Sequence, residues 1–441
     1  MGTKNISSLI LEISVPIMIS MLIQALYNIV DSYFVMKISE NAFTAVSIAF
    51  PIQNTMIGVA VGTAVGINSL LSRSLGEKNF ELANSVAENG MFLAFCYSII
   101  FFILGLTLSE KYFRLTTDDL EIIDYGKIYL RIVTMGSFGV FVQITMERVL
   151  QSTGRSYLTM LTQGIGAIIN IILDPILIFG YFGLPALGIA GAAYATIIGQ
   201  IIGMFVGLYL NHRYNIEVQM RTFVPRWNVI KKIYTVGLPS IILITITSVS
   251  ISLMNKILNG FSKTAVAAYG IYYKIQSFIF MPIFGLNSGI IPIIAYNYGA
   301  KNRERAKKTY ELAIIWGMMI MVVGILIFQF LSSFILKDIF GVSDSLLEVA
   351  VVAFRTISIS FLFAGFSMVT GSLFQSLGNG TLSLVGVIIR QGVGLIPVAY
   401  FLSGFGKLSL VWWAPPIAEF IGFIYFYYYM KKFAMPYIER I

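Results

Sequence analysis

Two aspartates stand where a carboxylate is costly: Asp31 in "YNIVDSYFV" and Asp174 in "IINIILDPILIFG". A carboxylate taken out of water needs its charge compensated, so the chemistry open to such a pair is reversible capture of a proton or a small hard cation. Each lies five residues from the outer end of its apolar run, about 7–8 Å at 1.5 Å of rise per helical residue, so the two are level. Asn170 sits one helical turn before Asp174, and Gln163 continues that stripe, while Gln24, Asn28 and Asp31 form a second stripe. Tyr129 falls at a depth comparable to the aspartates, and Thr196, like Asn170, about one turn deeper. These spacings predict one wet pocket walled by several helices. A competing reading takes "DP" as an N-cap followed by proline at the first helical position, restarting a broken helix.

The elements that hold these residues must span a membrane. Charged residues make up only 12% of the 441 positions, about half the share of an ordinary soluble domain. Stretches such as "MFLAFCYSIIFFILGLTL" match the roughly 20 helical residues that cross the hydrocarbon layer, where backbone groups must be satisfied internally. We read an all-α polytopic protein of twelve spans, beginning near residues 11, 44, 86, 124, 157, 187, 230, 265, 309, 346, 382 and 409. The early apolar run contains Glu12 and continues to Met36 with no small-residue cleavage site, so the first span is expected to stay in the protein.

Charge placement gives the topology. With the N-terminus inside, 18 of the 30 Lys and Arg fall in the termini and even-numbered loops, against eight on the other side. This bias predicts cytoplasmic termini; it also makes a nucleic-acid partner an unnecessary explanation for the net charge of +9. A single cysteine, Cys96, excludes an internal disulfide, and the lone His212 leaves no Ser-His-Asp or zinc set. No nucleophile with an adjacent base stands out, so we expect a non-enzyme without a cofactor.

The chain repeats itself. An offset of 223 carries Pro16 to Pro239, Gln53 to Gln276, Gly66 to Gly289 and Asn79 to Asn302, and "QSTG" from Gln151 returns as "QSLG" from Gln375 at 224. Six spans per copy place both copies in the same orientation, as two parallel-repeat six-helix bundles. The expected division is an N-terminal lobe over 1–210, a cytoplasmic linker over 211–229 and a C-terminal lobe over 230–441. The carboxylates are not duplicated: Met254 and Val398 occupy the repeat-related positions. The second half carries Lys274 and Arg390 instead, for which Glu419 is a natural structural partner. Gln53, Met56, Gln276 and Met281, together with Lys274 and Arg390, are the candidates for lining a substrate cavity, methionine supplying adaptable apolar contacts.

The motifs "YNIVDSYFV", "NIILDP" and "GAAYAT", with the "GEKN" and "GAKN" loops, resemble the multidrug and toxic compound extrusion (MATE) family across essentially the whole chain. That resemblance implies a V-shaped, alternating-access exporter of diverse, often cationic amphipathic compounds, acting as a monomer in exchange for protons or sodium. It implies a coupling site at Asp31, Asp174, Asn170, Tyr129 and Thr196, with Na+ held by Asp31, Asn170, Asp174 and Thr196. A branch of the family carries acidic residues in spans 7 and 10, whereas the corresponding stretches here, "TSVSISLMNKIL" and "TISISFLFAGFSMV", contain none at mid-membrane. The alternative is a flippase of lipid-linked precursors from the same superfamily, which favours a cation-lined cavity in both halves.

Overall fold

The computed structural model describes residues 1–220 and 224–440; residues 221–223 of the expected linker lie outside the described residues. It is all-helical among them, and the twelve expected spans are present. They are α1 (Ile6–Met36), α2 (Glu40–Gly76), α3 (Phe80–Thr116), a bent α4 (Leu120–Met135 and Phe138–Ser152), α5 (Ser156–Phe179) and α6 (Ile189–Tyr214). The second half gives α7 (Trp227–Asn259), α8 (Lys263–Gly299), α9 (Arg303–Phe330), a bent α10 (Asp344–Ser358 and Phe361–Ser376), α11 (Gly380–Ser403) and α12 (Leu408–Glu439). Ten are long and apolar enough to cross a membrane alone, and each bent pair makes one further span. Large apolar side chains such as Ile99, Ile103, Val323 and Leu326 are exposed, as expected of helices whose outer faces meet lipid rather than water. The protein is a multi-pass membrane protein.

The duplication reaches into backbone detail. Ser39 and Ser262, 223 residues apart, both cap their helices by accepting from the backbone N–H three residues on. Asn79 and Asn302 do the same for α3 and α9. The residue before each asparagine, Lys78 and Lys301, adopts φ of 57° and 55°, a left-handed conformation that few non-glycine residues take. The bends of α4 and α10 are 44° and 48°. Identical turn chemistry thus sets the entry of corresponding helices in both copies.

By internal packing the chain forms two compact units, one of residues Val15–Gly237 and the other of Met1–Ser14 with the chain from Leu238 onward. The divisions fall inside α1 and α7, at repeat-related positions. In the first unit the opening turns of α7 are held by a backbone amide of Arg226 donating to Asn89 Oδ1 at 2.7 Å and by a hydroxyl contact between Tyr97 and Tyr234. They cross α2 at Gly66, where a Cβ would lie 2.2 Å from the carbonyl oxygen of Ile233. In the second unit α1 opens against α8 at Gly289, where a Cβ would lie 2.2 Å from Ser14 Oγ. Arg305 fixes that end by donating to the carbonyls of Met1 and Lys4 at 2.9 and 2.7 Å.

A methyl group at Gly66 has no space without moving backbone, and such overpacking costs about 1–3 kcal/mol. Gly66→Ala should therefore lower the melting temperature of the purified protein by several degrees. Gly270→Ala, in α8 with open space around it, should hold or slightly raise it, because alanine is the better helix former; equal melting of the two variants would contradict the close crossing.

Candidate functional site

Five helices of the first unit converge on the aspartates. Asp31 comes from α1, Asn170 and Asp174 from α5, Tyr129 from α4, Thr196 from α6 and Gln53 from α2. Asp31, Asp174, Asn170, Tyr129 and Thr196 are all buried, Asp174 completely. Asp31 and Asp174 are each five residues from their helix ends at Met36 and Phe179, the level placement anticipated from the sequence. α5 runs unbroken through Pro175, so Asp174 is an interior residue and the N-cap reading falls. Pro175 has no N–H to give to the carbonyl of Ile171, which a regular helix would have bonded.

The pocket is poor in donors. Asn170 Nδ2 lies 3.5 Å from both Asp174 Oδ1 and Thr196 Oγ1, the outer limit of a hydrogen bond. Gln53 Nε2 donates to the Tyr129 hydroxyl at 3.3 Å. Asp31 and Asp174 are within electrostatic reach of each other and of Tyr27 and Tyr129. Asp31 Oδ1, Asp174 Oδ2 and Asn170 Oδ1 are buried without a hydrogen-bond partner, and neither carboxylate enters an ion pair among the described residues. Orphaned buried oxygens require a reason. A set of carboxylate, amide and hydroxyl oxygens lacking donors has the chemistry to accept protons or a hard cation such as sodium.

The sequence-derived residues distribute unevenly. Asn28 is exposed, and Tyr27, one turn before Asp31, stands beside the carboxylates instead. Gln163 turns away from the aspartates: its Nε2 donates to Glu147 Oε2 at 2.9 Å, and Gln143 Nε2 donates to the other oxygen at 3.0 Å. Buried Glu147 was not anticipated because it adjoins Arg148 at the end of α4 and reads as a loop charge. Its signal was the pairing of Gln143 and Glu147 one turn apart. Tyr27 was missed because an apolar run absorbs a tyrosine without notice. Of the cavity candidates, Met56 is fully buried, Met281 half-buried and Lys274 exposed. Gln276 and Arg390 line a separate cavity in the second unit.

Comparison with known proteins identifies the family. A family model described as MatE matches residues 16–176 and again 239–401. The chain belongs to the MatE family. The two matched stretches begin 223 residues apart, the offset of the internal repeat. Among curated relatives, the multidrug export protein MepA of Staphylococcus saprophyticus is 26% identical over 414 residues, covering 93% of this chain and 90% of that protein. MepA of Staphylococcus haemolyticus is 25% identical, covering 94% and 91%. Among solved structures, a multidrug resistance MATE family transporter of the MOP superfamily in an outward-facing conformation superposes with a TM-score of 0.90 at 26% identity, covering 99% of this chain and 98% of that one. A MOP superfamily transporter from Pyrococcus furiosus, whose reversed pocket polarity is taken to suggest a different function, matches with a TM-score of 0.90 at 25% identity and the same coverage.

Uncompensated buried charge destabilises a fold. Replacing both carboxylates by isosteric amides should therefore stabilise the resting protein: Asp31→Asn with Asp174→Asn is expected to raise the melting temperature in sodium-free neutral buffer by the equivalent of about 1–3 kcal/mol. A lower melting temperature for the double variant would mean that the pair serves structure.

Proposed function

We propose that the protein is a secondary active exporter of small organic compounds, often cationic and amphipathic, driven by proton or sodium antiport with alternating access. Its place is the bacterial cytoplasmic membrane, with both termini in the cytoplasm. The observation that carries this reading is the level pair of buried carboxylates, Asp31 and Asp174, with orphaned oxygens and no counter-ion among the described residues. Family membership and the export function named for the MepA relatives support it, and they support a transporter over an enzyme.

In this reading Asp31, Asp174, Asn170 and Thr196 hold the coupling ion, and Tyr129 with Gln53 fixes one wall. The two carboxylates titrate as a pair rather than singly. Neutralising them removes the charge that keeps the pocket hydrated, and so shifts the balance between conformations. One-for-one exchange is favourable on simple grounds. Moving a monovalent cation out against 100 mV costs about 2.3 kcal/mol, and one entering proton or sodium ion returns the same amount, leaving the chemical gradient to drive export. The flippase alternative is less well supported, because Arg390, its best cationic residue in the second unit, is already paired with Glu419.

The test is uptake of a fluorescent dye cation into everted vesicles. Asp31→Asn and Asp174→Asn should each abolish gradient-driven uptake, and Asn170→Ala should weaken it several-fold; unchanged uptake in both aspartate variants would move the coupling site elsewhere. Imposing a pH gradient and a sodium gradient separately on the same vesicles identifies the driving ion. An exporter coupled through this pocket should respond to at least one, and to neither once both aspartates are replaced.

A further inference from the structure

The second unit contains a buried ion pair in a cavity. Arg390 Nη1 meets Glu419 Oε2 at 3.2 Å, with both side chains 13% exposed. The cavity, of about 50 Å³, is lined among others by Tyr272, Tyr273, Gln276, Gln391, Arg390 and Glu419. A water needs roughly 10–15 Å³, so the space suits a few waters or a small ion. Pockets for drug-sized ligands run to about 300 Å³ or more, which excludes such a ligand here. Of the charged and titratable groups facing Glu419, Arg390 comes from α11, Tyr272 and Tyr273 from α8, and Tyr269 completes the wall.

The repeat makes this cavity the counterpart of the first unit's pocket. Gln276 is the counterpart of Gln53 at an offset of 223. The loop before α12 is shorter than that before α6, so from Ile189 and Leu408 onward the offset is 219, which carries Thr196 to Pro415 and Gln200 to Glu419. Packing confirms the register: Gly199 lies against Asn170 in the first unit, as their counterparts Ala418 and Gly394 lie together in the second. Pro415 and Gln276 both line the cavity. Arg390 replaces Gly166 and enters from a stretch of π-helix, Ile388–Leu395, a distortion that often marks functional positions. Gly422 makes room for its stem, since a Cβ there would come 3.3 Å from three of its carbons. Arg390 Nε remains buried and without a partner, so the guanidinium is seated for charge rather than for a full set of hydrogen bonds.

We propose that Arg390 is a tethered cation: its guanidinium permanently fills the cation site of the second unit, so Glu419 does not exchange ions and coupling is left to the first unit. This inference rests on the coupling reading given above. It assigns the chain a latent cation site at Glu419, Gln276, Gln391 and Tyr273, which opens when the arginine side chain is removed.

The experiment uses the full-length purified protein carrying Asp31→Asn and Asp174→Asn, so that the first pocket is silent. In that background Arg390→Ala should be stabilised by millimolar methylguanidinium, with a melting-temperature rise of a few degrees at saturation, and not by its neutral isostere N-methylurea. The parent with Arg390 intact should respond to neither, and adding Glu419→Gln should erase the response. Equal stabilisation by N-methylurea, no response to methylguanidinium, or a response that survives Glu419→Gln would overturn the proposal. Should Arg390→Ala fail to fold, Glu419→Gln alone decides: the uncompensated guanidinium should then draw stabilisation from chloride over the bulky anion gluconate, and indifference between the two salts would refute the tethered-cation role. The melting assay reads ion binding at Glu419 without transport. Its failure is therefore separable from failure of the coupling reading, which uptake by the aspartate variants reports.

Discussion

A charge enclosed by helices in a hydrocarbon layer must be compensated from within, because no solvent is available to do it. That constraint orders the polar features of this chain. Where compensation is built in, as at Arg390 and Glu419, the pair is locked. Where it is omitted, as at Asp31 and Asp174, buried oxygens are left without partners, the demand that the proposed coupling ion would meet. Helix capping, glycine crossings and repeated turns supply the rigidity that keeps such a demanding pocket from collapsing onto itself.

The duplication makes the difference between the halves informative. Both copies use the same serine and asparagine caps, the same left-handed lysines and nearly the same mid-span bends. Their scaffolds are thus close to equivalent, and function lies in the few positions where they part. Gly166 against Arg390 and Gln200 against Glu419 are such positions. In the proposed reading, this asymmetric polarity on a repeated frame gives one half a changeable charge state and the other a fixed one.

Much of this was legible in the sequence, for identifiable reasons. Ten of the twelve spans follow from apolar length alone, and the repeat follows from glycine, proline and asparagine at fixed offsets, residues suited to particular backbone requirements. The level of Asp31 and Asp174 follows from helical rise once the span ends are known. What was not legible depends on rotation and on neighbours. Asn28 and Tyr27 are adjacent in the chain but face differently, and a polar-residue search favours the wrong one. Gln163 shares a helix face with Asn170 and Asp174, yet its partner is Glu147 on α4, which no periodicity within α5 reveals. The N-cap reading of Asp174 failed because a proline inside a membrane helix need not end it: the surrounding helices hold the turn that the missing N–H would have secured.

The opening turns of α1 and α7 lie in the units to which the rest of those helices do not belong. That exchange of equivalent segments is the arrangement of a domain-swapped dimer of single repeats, written into one polypeptide. It sets an order for biogenesis. The first unit lacks a wall until residue 237 has been synthesised, and the N-terminal fourteen residues have no seat until α8 has entered the membrane with Gly289. Residues 1–14 therefore stay unplaced until α8 is in position, and severing the chain at the linker would leave two fragments that each hold the other's missing piece.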